Sequence, residues 1–207
     1  MRFEIKYSRI LTVSYSSTII QDVISYCRSN TSFAAAYFYF DFRDPAKQRA
    51  ENLVRSLIKQ FSVQCTGIPG PLEALYFQIQ DGSRQTTVEA LVSTLRDIMQ
   101  TFQHTYIVLD ALDECSERED LLNLIEEIID WKIETLHLLA TSRKEQDIDD
   151  CLSSRVSNEI NIQSSLVDAD IRVHVRDQLR KDRKLKKWSP AAQSEIETAL
   201  VDGAHGM

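Results

Sequence analysis

Three short apolar runs constrain this chain more than anything else in it. They are "FAAAYFYFDF" (Phe33 to Phe42), "YIVL" (Tyr106 to Leu109) and "LHLLATSR" (Leu136 to Arg143). Runs this short and this continuous are strands buried on both faces, as in a parallel sheet. The stretches between them carry a helical period instead. In "DPAKQRAENLVRSLIKQF", Asp44 is placed to cap, Pro45 falls in the first turn, and Leu53, Leu57, Ile58 and Phe61 form one stripe. "TVEALVSTLRDIMQTF" is amphipathic behind Thr86 or Thr87 as cap, and Glu117 to Trp131 puts Leu121, Leu124, Ile125, Ile128 and Ile129 on its inner face. Strand and helix therefore alternate. The pattern predicts an α/β domain of three layers around a mainly parallel sheet.

The flanking segments extend it. "FEIKYSRILTV", Phe3 to Val13, has a weak period of two and predicts a strand; "STIIQDVISYC", Ser17 to Cys27, predicts a helix. "GIPGP" is a loop, Leu72 to Gln80 a short helix, and "VSNEINI", Val156 to Ile162, a last strand near an edge. From Ala169 the pattern changes to two helices with no strand between them, the second capped by Ser189 with Pro190 in its first turn. These open a separate helical domain that stops at Met207, as expected of a fragment.

Composition excludes several function classes. A net charge of −7 argues against bulk binding to nucleic acid or anionic membrane, and the basic run "RKDRKLKKW" reads as a solvated helix face. No run of about 18 apolar residues exists, and the N-terminus lacks the apolar core of a signal peptide, so a cytoplasmic location is expected. The cysteines at 27, 65, 115 and 151 form no C-x-x-C and have no His at zinc spacing, which predicts reduced thiols. The four His, at 104, 137, 174 and 205, are scattered and no G-x-S-x-G is present, which weighs against a hydrolase that works without nucleotide.

The strand "YIVL" runs straight into Asp110, Asp113 and Glu114. In an open parallel sheet, ligands sit beyond the carboxyl ends of strands. A carboxylate there is the pattern of a Walker B strand, holding Mg²⁺ beside a nucleotide's phosphates, and acids one turn on can serve a hydrolytic water. The plainer alternative is that Asp110 ends the strand while Asp113 and Glu114 cap the next helix. Arg143, after the next strand, suits a phosphate sensor because its charged donor fork is rigid; alone it could equally be surface decoration.

Taken together, "YIVLDALDEC", about thirty residues, and then "LHLLATSR" resemble the NACHT NTPase domain of fungal NLR-like proteins, heterokaryon-incompatibility proteins and the related nephrocystin-type N-terminal domain among them. "SSTIIQDV", "AAAYFYFDFRD", "QRAENLVRSLIKQF" and "GAHGM" extend the resemblance over about residues 16–207. It implies a P-loop NTPase-like switch that binds ATP or GTP with Mg²⁺, oligomerises when active, and carries an effector and repeats elsewhere. Residue by residue it implies Asp110 on Mg²⁺ through water, Asp113 and Glu114 at the hydrolytic water, and Arg143 as phosphate sensor. It divides the chain into an atypical segment 1–15, a truncated NTPase-like domain 16–165 and the start of a helical and winged-helix region 166–207.

One part of the pattern is missing. The phosphate loop G-x-x-x-x-G-K-[ST] should precede "SSTII", but Leu11, Thr12 and Val13 stand where Gly-Lys-Ser would fall, and no glycine precedes Gly67. Converging backbone N–H groups on a phosphate requires glycine conformations that Leu and Val resist. The expectation is a fragment of a signal-transducing NTPase module that holds nucleotide weakly or not at all. The alternative is a non-enzymatic scaffold or decoy that associates with full-length relatives. Residues 3–13 fill the central strand position if they pair between the Ala34–Phe42 and Ala140-bearing strands, and otherwise remain peripheral.

Overall fold

The computed structural model describes residues 2–7, 12–80, 86–155, 157–161, 165–182 and 184–204. Its sheet has five parallel strands: β1 (Arg2–Tyr7), β2 (Phe33–Tyr39), β3 (His104–Asp110), β4 (Leu136–Ser142) and β5 (Asn158–Asn161), in the order β2-β3-β4-β1-β5. The helices are α1 (Thr12–Arg28), α2 (Ala50–Ser62), α3 (Gly70–Gln80), α4 (Val88–Met99), α5 (Arg118–Asp130), α6 (Gln146–Leu152), α7 (Ser165–Lys181) and α8 (Pro190–Ala204). This is the expected α/β class, a P-loop NTPase-like parallel sheet followed by helices.

Alternation along each strand builds the layers. Ala34, Ala36 and Phe38 of β2, Ile107 and Leu109 of β3, and Leu138 and Ala140 of β4 share one core cluster with Leu53, Leu57 and Phe61 of α2, Leu95 and Ile98 of α4, and Leu121 and Ile125 of α5. On the opposite face lies α1, whose Tyr26 ring meets those of Phe33 and Tyr106 at 5.8 and 5.9 Å. β2 closes one margin of the sheet in an unusual way. Gln64, just past the end of α2, accepts from Ala35 N at 3.1 Å and donates to Ala35 O at 2.8 Å; Gln60 of α2 does the same to Tyr37, at 3.1 and 2.7 Å. Two carboxamides one helical turn apart thus satisfy the backbone of an edge strand as a neighbouring strand would.

Several expectations need correction. The first strand ends at Tyr7, and Thr12 and Val13 are already helical; residues 8–11 of the predicted strand lie outside the described residues. That strand does not pair between β2 and β4, where β3 sits, but between β4 and β5. The helix expected from Asp44 is broken. Asp44 caps a 3₁₀ turn, Pro45–Lys47, by accepting from Ala46 N, and α2 starts only at Ala50. Gly70 and Pro71 of the expected loop belong to α3. The helix α6 was not foreseen: seven residues with two buried positions, Ile148 and Leu152, are too few to show a period. Thr87, by contrast, caps α4 by accepting from Ala90 N at 3.3 Å, and Ser189 accepts from Ala192 N at 3.2 Å at the start of α8.

Candidate functional site

The parallel sheet aligns the carboxyl ends of β3 and β4, because Leu109 and Ala140 are partners in register and Asp110 and Thr141 follow them. Asp110 is 5% exposed and accepts a short hydrogen bond from the Thr141 hydroxyl. The same hydroxyl oxygen accepts from Ala111 N at 3.0 Å. Ala111 is left-handed, at φ 59° and ψ 55°, a conformation that a residue bearing a Cβ rarely adopts. It turns the chain sharply into a 3₁₀ turn, Leu112–Glu114, pinned by the fully buried Leu112.

That turn carries Asp113 to the end of β4. Its Oδ1 accepts from Arg143 N at 2.9 Å, with the Ser142 hydroxyl at 3.4 Å, and its Oδ2 lies 3.3 Å from Arg143 Nε. Asp113 is thus held by both backbone and guanidinium of the residue expected to sense phosphate. The Arg143 side chain remains 59% exposed. Glu114 points the other way, accepting from Phe42 N at 3.1 Å and tying down the loop after β2. Gln48 secures the same loop, donating to Phe42 O at 2.6 Å and accepting from the Cys115 thiol at 3.0 Å. Asp110, Asp113 and Arg143 therefore gather at one end of β3 and β4, while Glu114 braces a neighbouring loop.

Two groups that the sequence did not flag lie on the α1 side. Burial pushes the Tyr39 phenol above its ordinary value; a hydrogen bond with Ser17 pulls the other way, and the Asp110 carboxylate adds to the rise. Ser17 near the start of α1, Tyr39 at the end of β2 and Asp110 at the end of β3 thus share one neighbourhood. Thr141 could have been found from register alone: a hydroxyl one strand over from a buried acid is a natural partner.

The oxygen donors here suit a hard cation such as Mg²⁺, although among the described residues no cluster of three or more His, Cys, Asp or Glu could hold a metal. The phosphate grip does not fit. No glycine precedes Gly67, and residues 8–11, between β1 and α1, lie outside the described residues.

The family model described as "Nephrocystin 3, N-terminal" matches residues 15–143, well over half of the chain. The chain belongs to this family. The matched part of this nephrocystin-type domain runs from α1 to Arg143 and so includes the acidic strand end. No curated protein matches the chain. Among solved structures, the Aeropyrum pernix ORC1 protein in complex with DNA is similar with a TM-score of 0.56 at 12% identity, over 86% of this chain and 42% of that one. The domain thus spans less than half the length of that ORC1 chain. A structure of Drosophila ORC bound to AT-rich DNA and Cdc6 gives a TM-score of 0.47 at 10% identity, covering 98% of this chain and 76% of that one. C. elegans PCH-2 gives 0.40 at 14%, covering 100% and 52%. At such identities the likeness to ORC1 speaks to fold alone. Family and fold together make the chain a nephrocystin-type domain built on a parallel α/β sheet. No helix among the described residues is long and apolar enough to cross a membrane.

Proposed function

We propose that this chain is the Walker B and sensor half of a NACHT-type nucleotide switch whose hold on the nucleotide is weak. Asp110 would hold Mg²⁺ through water, Asp113 would serve the hydrolytic water and Arg143 would sense the terminal phosphate, while Glu114, bound to Phe42 N, would brace the loop after β2 rather than share the water. The single observation that carries the reading is the Asp113–Arg143 pairing at the mouth of β3 and β4, beside buried Asp110. A phosphate competes with Asp113 for the same guanidinium, so occupancy of the site would be exchanged for a change in the turn Leu112–Glu114. On this reading residues 16–165 are the nucleotide half, with 1–15 an atypical lead-in. Residues 166–207 open the helical region that closes over the nucleotide in relatives.

The weakness follows from sequence. Only a glycine-rich turn lets successive N–H groups converge on one anion, and only a Lys in register meets the outer phosphates. Isothermal titration with Mg-ATP and Mg-GTP tests the proposal directly. No saturable heat is expected below about 1 mM nucleotide, a free energy of binding weaker than about 4 kcal/mol. Micromolar affinity in this chain would overturn the claim of a lost grip. If binding is absent and the chain co-purifies with a longer nephrocystin-type relative, the scaffold or decoy role takes precedence.

A further inference from the structure

The amino-terminal ends of β3 and β4, opposite the acidic end of the sheet, bring two imidazoles together. His104 opens β3 and His137 is the second residue of β4. His104 Nδ1 lies 3.2 Å from His137 Nε2. Both rings are half-buried and fixed by aromatic neighbours. Phe33 meets His104 edge-on at 4.7 Å between centroids, and Tyr106 stacks on His137 at 4.5 Å with 10° between planes. In the metal-free chain one ring must donate and the other accept.

We propose that His104 and His137 form a binding site for a borderline divalent transition metal, Zn²⁺, Ni²⁺ or Cu²⁺. The geometry is already close. Two metal–nitrogen bonds of about 2.0–2.1 Å at a tetrahedral angle place their nitrogens about 3.3 Å apart, within a tenth or so of an ångström of the separation found here. Imidazole pairs suit these ions and not Mg²⁺ or Ca²⁺, which take hard oxygen ligands. No third His, Cys, Asp or Glu joins the pair among the described residues, so waters complete the shell; half-exposed rings leave room for them. The aromatic neighbours restrict ring rotation, as outer-shell partners do around metal-ligating His. A bound ion would clip β3 to β4 at the end remote from Asp110, stabilising the sheet without touching the phosphate site.

Isothermal titration of the untagged full chain with zinc chloride tests this, with magnesium chloride as control. One equivalent of zinc is expected to bind and magnesium none. His104→Gln and His137→Gln should each weaken zinc at least about tenfold, and His174→Gln should leave it unchanged. Ring signals of His104 and His137 should shift together on zinc addition in the unaltered protein, a readout that does not depend on any variant folding. The proposal falls if zinc binds the His104→Gln, His137→Gln double variant as tightly as the parent. It falls equally if the two ring signals stay put at about 1 mM zinc.

Discussion

At the scale of the residue, Thr141 holds the acidic strand end together. One hydroxyl donates to the Asp110 carboxylate and accepts from Ala111 N, so it steadies both a buried acid and the left-handed turn behind it. Thr141→Val keeps the shape and removes both bonds. The expected loss is about 1–3 kcal/mol, since a buried polar group forfeits a hydrogen bond, and Thr141→Ser should recover most of it. Urea denaturation of the three proteins checks this; an unchanged midpoint in Thr141→Val contradicts it. The acids themselves were legible because three carboxylates after four apolar residues stand out. Thr141 was not, because its partner lies thirty-one residues away and only strand pairing reveals it. Glu114 was grouped with Asp113 from spacing alone, yet the 3₁₀ turn sends the two carboxylates to different neighbours.

At the scale of the element, the edge strand β2 depends on α2 for more than apolar contact. Gln60 and Gln64 complete four backbone hydrogen bonds that water would otherwise make. Replacing both with Leu should cost about 1–3 kcal/mol in total and leave an exposed, aromatic-rich edge prone to pair with other chains. Light scattering during a thermal ramp should rise earlier in the Gln60→Leu, Gln64→Leu variant than in the parent; coincident curves would show that the edge needs no such cover. Helices with a full apolar stripe, α2, α4 and α5, could be read from sequence because burial imposes their period. Their starts were less legible. The Asp44-Pro45 signal belongs to a one-turn 3₁₀ helix that ends at Gln48, and the chain then turns extended at Arg49 before α2 begins.

At the scale of the whole molecule, buried thiols couple stability to pH. Burial pushes Cys27 from 9.0 up to about 11, and burial, followed by the nearby Glu126, does the same for Cys151. A thiol that keeps its proton longer when folded adds stability that is complete below about pH 9 and is lost as pH rises through about 11. Urea midpoints should therefore fall between pH 9 and 11, and fall less in a Cys27→Ala, Cys151→Ala variant, whose own pH 8 midpoint serves as its baseline; equal slopes would exclude the thiols as a cause. The order of strands was the least legible feature at this scale. Periodicity marks β1 as a strand, but its place between β4 and β5 is a matter of long-range pairing, which no local pattern records.

The carboxamide seal on β2 gives the sheet a direction. With that margin shut, another backbone can join the described strands in register only alongside β5, a four-residue strand whose described pairing is with β1 alone. Lateral growth would then be one-sided, adding to the flank nearest β1 and leaving the flank beside Ala35 and Tyr37 a dead end for templated extension.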